Sequence, residues 1–230
     1  MGCTRQQLNA FFDDLLRPQR FKDYCPNGLQ VEGKTDVRHL VSGVTASQAL
    51  IEAARDRGAD AILVHHGYFW RSEPPSITGM KAARVRALMK ADINLFAYHL
   101  PLDCHPQHGN NAALGRLMGI EAPEALDPED PSTPVFRGEL EAPVTVQELA
   151  DRLSVALDRT PLVIGEGDVT SVAWCTGAGQ GYIDLAADAG ADVYVTGEVS
   201  EQTAHVALER GIAFIGAGHH ATERYGVQAI

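Results

Sequence analysis

Three short stretches of this 230-residue sequence place imidazoles and carboxylates at spacings that suit metal chemistry. They are the adjacent pair His65-His66, the run His99-Leu100-Pro101-Leu102-Asp103, and His219 followed four residues later by Glu223. On the first turn of a helix, residues at i and i+4 project from one face, so His219 and Glu223 can reach a single ion. Pro101 is tolerated at a helix start, which lets Asp103 turn back toward His99. Consecutive residues at a strand end point to opposite sides, so His65 and His66 are expected to serve two ions rather than one. A carboxylate such as Asp103 or Glu223 can bridge metals ~3.5–4 Å apart, the spacing of hydrolytic two-metal sites. The expected ligands of a pair of divalent ions are therefore His65, His66, Asp103, His219 and Glu223. Imidazole and carboxylate without thiolate suit Zn, Mn, Fe, Co or Ni and do not choose among them.

Other polar residues divide less sharply. Taken singly, His99, His105, His108 and His220 read as hydrogen-bonded structural histidines, and His39 and His205 as surface residues. His99 and Glu198 are the candidates for moving protons at the site; Glu198 reads equally as a support for a ligand or as a solvated side chain. The run Gly177-Ala178-Gly179-Gln180-Gly181 follows an apolar strand and opens a helix, where backbone N–H groups can hold an anion. It is not G-x-G-x-x-G, and glycine at such turns is also demanded by sterics alone, so the steric reading leads.

These residues must be positioned by strands alternating with helices. Short β-rich apolar runs such as Ala61-Ile62-Leu63-Val64 and Val193-Tyr194-Val195 read as buried parallel strands, and ligands gather beyond the carboxyl ends of such strands. The chain also contains itself twice. Thr4 opens a helix with a Thr-x-x-Gln capping box, with Leu8, Phe11, Phe12, Leu15 and Leu16 on one face. Thr145 opens another with Thr-x-x-Glu, followed by Leu149, Leu153 and Leu157. Ile51 through Gly58-Ala59-Asp60 corresponds to Ile183 through Gly190-Ala191-Asp192 at an offset of 132. A helix, a strand, a histidine and a following carboxylate then close each copy. The expectation is an internally duplicated α/β fold with mainly parallel sheets, a first half at 1–120 and a second at 135–230. The metal site is expected at the junction of the halves. Residues 121–134, rich in Pro and acids, read as a linker or surface loop.

Composition narrows the function classes. A formal charge of −11 argues against general nucleic-acid binding, which needs clustered Lys and Arg. No apolar run approaches the ~20 residues of a membrane helix, and the N-terminus lacks an apolar signal core. The expected location is the cytoplasm, where four scattered cysteines would be free thiols.

Pro26-Asn27-Gly28-Leu29-Gln30-Val31, His65-His66-Gly67-Tyr68-Phe69-Trp70, His99 to Asp103 with Asn110-Asn111, Thr196-Gly197-Glu198-Val199-Ser200-Glu201-Gln202 and Gly218-His219-His220-Ala221-Thr222-Glu223 occur in that order. In these motifs the sequence resembles the Nif-three-like family, the GTP cyclohydrolase 1 type 2 homologues, in its bacterial single-module branch. The resemblance implies a ring-like homohexamer and a dinuclear metal site on His65, His66, Asp103, His219 and Glu223, with His99 a less certain member. It further implies a hydrolase that opens the ring of a purine nucleotide, GTP. A metal-dependent phosphoester hydrolase would use the same ligands, and a non-catalytic, regulatory metal-binding ring is the reading from another class. The family usually continues past the helix of Glu223, whereas this sequence stops at Ile230.

Overall fold

The computed structural model describes residues 2–130 and 132–230; Met1, and Pro131 of the expected linker, lie outside the described residues. Two compact units are formed, one by residues 2–102 with 227–230 and the other by the described residues of 103–226. Residues 103–120, assigned from sequence to the first half, therefore pack with the second.

The first unit runs β1 (Cys3–Thr4), α1 (Arg5–Leu16), β2 (Gly28–Val31), β3 (Asp36–Val37), β4 (Leu40–Thr45), α2 (Gln48–Asp56), β5 (Ala61–His66), α3 (Gly79–Ala91) and β6 (Asn94–Ala97). It then enters α4 (Leu100–Asp103). Its main sheet has the order β2-β6-β5-β4, with β4, β5 and β6 parallel and β2 antiparallel at the edge. Ile62 and Val64 of β5 pack with Ile51 and Leu88 of α2 and α3 on one face. Ala61 and Leu63 pack with Phe12 and Leu16 of α1 on the other. Covered on both sides, β5 is apolar without alternation, as a central parallel strand should be.

The second unit runs α5 (Asn110–Met118), β7 (Glu124–Ala125), β8 (Phe136–Thr145), α6 (Val146–Leu157), β9 (Leu162–Ile164), β10 (Asp168–Cys175), α7 (Ile183–Asp188), β11 (Val193–Thr196), α8 (Glu201–Arg210) and β12 (Ala213–Gly216). Two single-turn helices follow, α9 (His219–Thr222) and α10 (Gly226–Ala229), and residues 227–230 belong to the first unit. The sheet order is β7-β8-β10-β11-β12-β9. Again the three inner strands are parallel, while β7, β8 and β9 are antiparallel, so both sheets are mixed rather than parallel throughout. The Pro- and acid-rich stretch contributes the edge strand β7, and Leu126 N donates to Val135 O.

The duplication extends to hydrogen-bond register. Leu40 pairs with Ala61 as Val172 pairs with Val193, each 132 residues on. Asp60 Oδ2 accepts from the N–H groups of Arg38 and His39, and Asp192 Oδ2 accepts from those of Thr170 and Ser171. The Asp of each Gly-Ala-Asp turn therefore satisfies the two backbone donors just before the parallel pairing begins, at Leu40 in one copy and Val172 in the other, groups that would otherwise need water. Both capping boxes form, Thr4 with Gln7 and Thr145 with Glu148. Each is worth about 1 kcal/mol of helix stability. Phe11, expected on the buried face of α1, is instead 55% exposed.

Candidate metal centre

In the first unit the site begins where β5 ends. His65 is fully buried and His66 partly exposed. Their ring centroids lie 4.4 Å apart, and His99, just past β6, lies 5.1 Å from His65 and 5.8 Å from His66. The rings of these consecutive residues thus lie side by side at the strand end. Each of the three offers a ring nitrogen, and these atoms fall within 4.8 Å of one another.

The Nδ1 atom of each ring is engaged by the protein. His65 Nδ1 donates to Tyr98 O at 3.1 Å, and His99 Nδ1 donates to Asp23 Oδ1 at 2.7 Å. His66 Nδ1 lies 3.3 Å from Thr45 Oγ1. Where the partner is a carbonyl or carboxylate, Nδ1 must carry the hydrogen, which makes Nε2 the electron-pair donor of the ring.

Asp23, which sequence reasoning did not single out, is buried and accepts four hydrogen bonds. Oδ1 takes Tyr24 N at 2.6 Å and His99 Nδ1, while Oδ2 takes Asn27 Nδ2 and Leu100 N, both at 2.9 Å. Burial alone would raise its pKa; the bond and charge of His99 and the bonds from Asn27 and Leu100 outweigh burial and hold the carboxyl below its usual range. With its lone pairs used in this way, Asp23 orients His99 rather than taking an ion. Cys25 also lies within ligand distance of Asp23 and His99. Burial, and then the charge of Asp23, push its thiol up to about 12, so it stays a neutral thiol.

The second unit builds around Asp103, His219 and Glu223. Asp103 is 5% exposed, and its Oδ1 accepts from Asn110 Nδ2 at 2.9 Å and Thr176 Oγ1 at 3.1 Å. Asn111, next along α5, accepts from Thr176 N at 3.0 Å and so holds the loop that follows β10. His219 donates from Nδ1 to Glu198 Oε1 at 2.6 Å, while its Nε2 lies 3.2 Å from Glu223 Oε1. Helix α9 is a single turn and Glu223 is its C-cap residue, yet the i,i+4 pair still meets. The hydrogen bond to Glu223 is the main cause that raises His219 to about 9, against the opposing effect of burial and with help from Glu198. Glu223 is 2% exposed, so its charge is compensated by a proton held on His219 where no metal is bound.

The glycine run has a steric explanation. A Cβ at Gly177, whose φ is +69°, would strike the Glu223 carboxylate and meet His219 Nε2 at 3.2 Å. Gly177 N donates to Thr222 Oγ1 and Gly179 N to Thr196 Oγ1, so neither N–H is offered to an anion. Of the remaining histidines, His39, His205 and His220 are exposed, and His105 and His108 stack on each other at 5.0 Å.

The donor chemistry fits divalent metal: His65, His66 and His99 stand together in the first unit, His219 and Glu223 meet in the second, and Glu198, singled out for proton transfer, is placed on His219. The fold and these groups define a duplicated α/β protein with candidate metal ligands at its strand ends. The chain belongs to the family Duf34/NIF3 (NGG1p interacting factor 3), which it matches over residues 3–230. It is 55% identical over 231 residues to the GTP cyclohydrolase 1 type 2 homolog of Pseudomonas aeruginosa, covering 100% of this chain and 92% of that protein. To the protein of the same name from Escherichia coli it is 51% identical over 97% of this chain and 90% of that one. Among solved structures, protein ybgI, described as of unknown function, has a TM-score of 0.92 at 50% identity, over 98% of this chain and 91% of that chain. TTHA1606 from Thermus thermophilus has a TM-score of 0.88 at 36% identity, over 98% and 90%.

Proposed function

We propose that the chain holds a pair of divalent metal ions with His65, His66, Asp103, His219 and Glu223, and hydrolyses the imidazole ring of a purine nucleotide. GTP is the substrate carried in the relatives' name. One observation supports the metal reading most: His65, His66, His99 and His219 all have Nδ1 at a protein oxygen, from Tyr98, Thr45, Asp23 and Glu198 in turn. Metal-ligating histidines are held in this way, with the second nitrogen left to the ion. Burial of the Asp103 and Glu223 carboxylates favours the same reading, since buried charge is retained where a counter-charge compensates it.

Divalent ions supply Lewis acidity and lower the pKa of water. The chain's own residues do the rest. His99, fixed by Asp23, carries a proton at Nε2 between water and a ring nitrogen of the substrate. Glu198 holds His219 in the tautomer that presents Nε2. One water opens the ring and leaves its carbon as a formamide, and a second water hydrolyses that formamide to formate, so metal-loaded protein should release formate from GTP, and His65→Ala or Asp103→Ala should abolish it. Formate that persists in both variants identifies a contaminant. None from fully metallated wild type refutes ring hydrolysis and leaves phosphoester hydrolysis or a regulatory metal-binding role.

We also propose a closed homohexamer in the cytoplasm. Among the described residues no helix is long and apolar enough to cross a membrane. Light scattering that shows a monomer at micromolar concentration would remove the hexamer.

A further inference from the structure

The loop that leaves His66 is built more firmly than a surface connection requires. Gln30 brackets it, accepting from Tyr68 N at 2.7 Å and donating to Tyr68 O at 3.1 Å. Tyr68 is buried and its hydroxyl donates to Ala46 O at 2.8 Å. Phe69 follows at φ +66°, a conformation that bulky residues rarely adopt and that persists only when its surroundings hold it. Arg71 N then donates to Tyr24 O at 2.8 Å, tying the loop to the segment that carries Asp23.

This scaffold presents two aromatic rings at the histidine group. Trp70 meets His99 edge to face, 4.9 Å between centroids and 82° between planes, and lies 5.8 Å from His66. Tyr24 meets His99 at 6.3 Å and 65° and is 53% exposed. Trp70 is partly exposed, and its Nε1–H is directed to Gly67 O at 3.3 Å, within its own loop. With its N–H engaged within the loop, the partly exposed ring is what remains to meet a ligand. A ring face selects planar, polarisable groups by stacking.

We propose that Trp70 and Tyr24 form a stacking subsite for the heteroaromatic ring of a small-molecule ligand, beside His66 and His99. The proposal names the part of the substrate that the histidine group faces, and it rests on reading that group as the reaction centre. A purely structural role for Trp70, covering His99, would leave ring affinity indifferent to its removal once the fold and the metal are intact.

Binding to the full-length, metal-loaded protein separates these cases without reference to turnover. Calorimetric titration with guanosine, and with ribose 5-phosphate as a ligand without a planar ring, is performed on wild type, Trp70→Ala, Trp70→Phe and Tyr24→Ala. Thermal melts and elemental analysis check fold and metal content. Loss of one stacking partner should weaken guanosine binding by roughly tenfold to a hundredfold. Trp70→Phe should stay within about threefold of wild type because it keeps a ring face. Ribose 5-phosphate should bind all four proteins alike. In wild type, guanosine should also quench the emission of Trp70, whereas Trp174, 0% exposed, gives an unquenched background. The subsite is overturned if wild type does not bind guanosine, if Trp70→Ala binds it unchanged, or if both probes weaken together. Stacking that holds while GTP yields no formate refutes ring hydrolysis and spares the subsite; formate release with no effect of Trp70→Ala does the reverse.

Discussion

In the proposed metal site, metal uptake is predicted to expel the proton that His219 shares with Glu223. His219 Nε2 lies 3.2 Å from Glu223 Oε1, and the imidazole titrates at about 9 because that carboxylate accepts its hydrogen bond. At pH 7 the metal-free protein therefore carries an imidazolium at the position of a proposed ligand. A ligand must be deprotonated to bind, so apparent affinity should rise about tenfold per pH unit through this one group until the pH reaches its pKa. An ordinary histidine stops contributing near pH ~6.5, so the interval up to about 9 is worth two to three orders of magnitude in affinity.

Competition titrations of Zn and Co in metal buffers from pH 6 to 9.5 read the slope. Calorimetry in buffers of different ionisation enthalpy counts the proton released. Glu223→Gln removes the principal cause of the raised pKa, so it should weaken binding and also shift the break to lower pH. Affinity that is flat above pH 7, with no proton released at pH 7.5, would refute the exchange and with it the assignment of His219 as a ligand. The linkage to stability has a definite sign. A pKa raised on folding stabilises the metal-free protein fully below ~6.5 and loses that contribution as pH rises through about 9. The His219 side chain is 35% exposed, so solvent screening reduces the contribution to on the order of 1 kcal/mol. Stabilisation by metal should accordingly grow with pH over this window.

Asp23→Ala leaves four donors, those of Tyr24, Asn27, His99 and Leu100, without their acceptor, and should cost on the order of 3 kcal/mol in urea unfolding; a loss below ~0.5 kcal/mol would contradict the orienting role. Its lowered pKa means that the Asp23 contribution is present above about pH 4 and is lost as pH falls through the lower folded value, which acid titration of wild type against Asp23→Asn should show. Gly177→Ala should lower metal occupancy without deleting a ligand, because its Cβ displaces Glu223; full occupancy by elemental analysis would refute this. Asp60→Ala and Asp192→Ala should each cost about 1–2 kcal/mol in the same unfolding assay, with Asp60 the more costly since Lys34 also binds it at 2.8 Å.

Much of this was legible from sequence where a local rule is strong. The capping boxes at Thr4 and Thr145 are short-range hydrogen-bond patterns, and the Gly-Ala-Asp turns recur at a fixed offset, so helices, inner strands and duplication could be read directly. The histidines were legible because imidazoles at strand ends are unusual in type. Asp23 and Thr176 were not, because each reaches its partner across 76 and 73 residues, in loops whose course no periodicity records. The antiparallel edge strands β2 and β9 were missed for a similar reason: short edge strands have little burial to impose a pattern. Asn110-Asn111 has no role legible in sequence; the bonds to Asp103, Thr176 and Gly226 give the pair one.

The duplication also shows how two like units come to hold different chemistry. Glu198 occupies in the second copy the place that His66 holds in the first, 132 residues earlier. In the first unit that position presents an imidazole 5.8 Å from the ring of His99; in the second it presents a carboxylate that orients His219 at 2.6 Å. The task of orienting the strand-end histidine therefore falls on Asp23 in the first unit, from the loop before β2. With Asp23 in that role, the His66 position is not needed to orient His99, and in the proposed metal site it serves as a ligand. Exchanging the two solutions tests this directly. His66→Glu should bring a second carboxylate beside His99 and its Asp23 partner, and it should lower metal occupancy while leaving His99 in place. Glu198→His should free His219 from its acceptor and lower the pH at which metal affinity levels off. Unchanged occupancy in His66→Glu would show that the first unit's histidine group does not depend on the imidazole at that position.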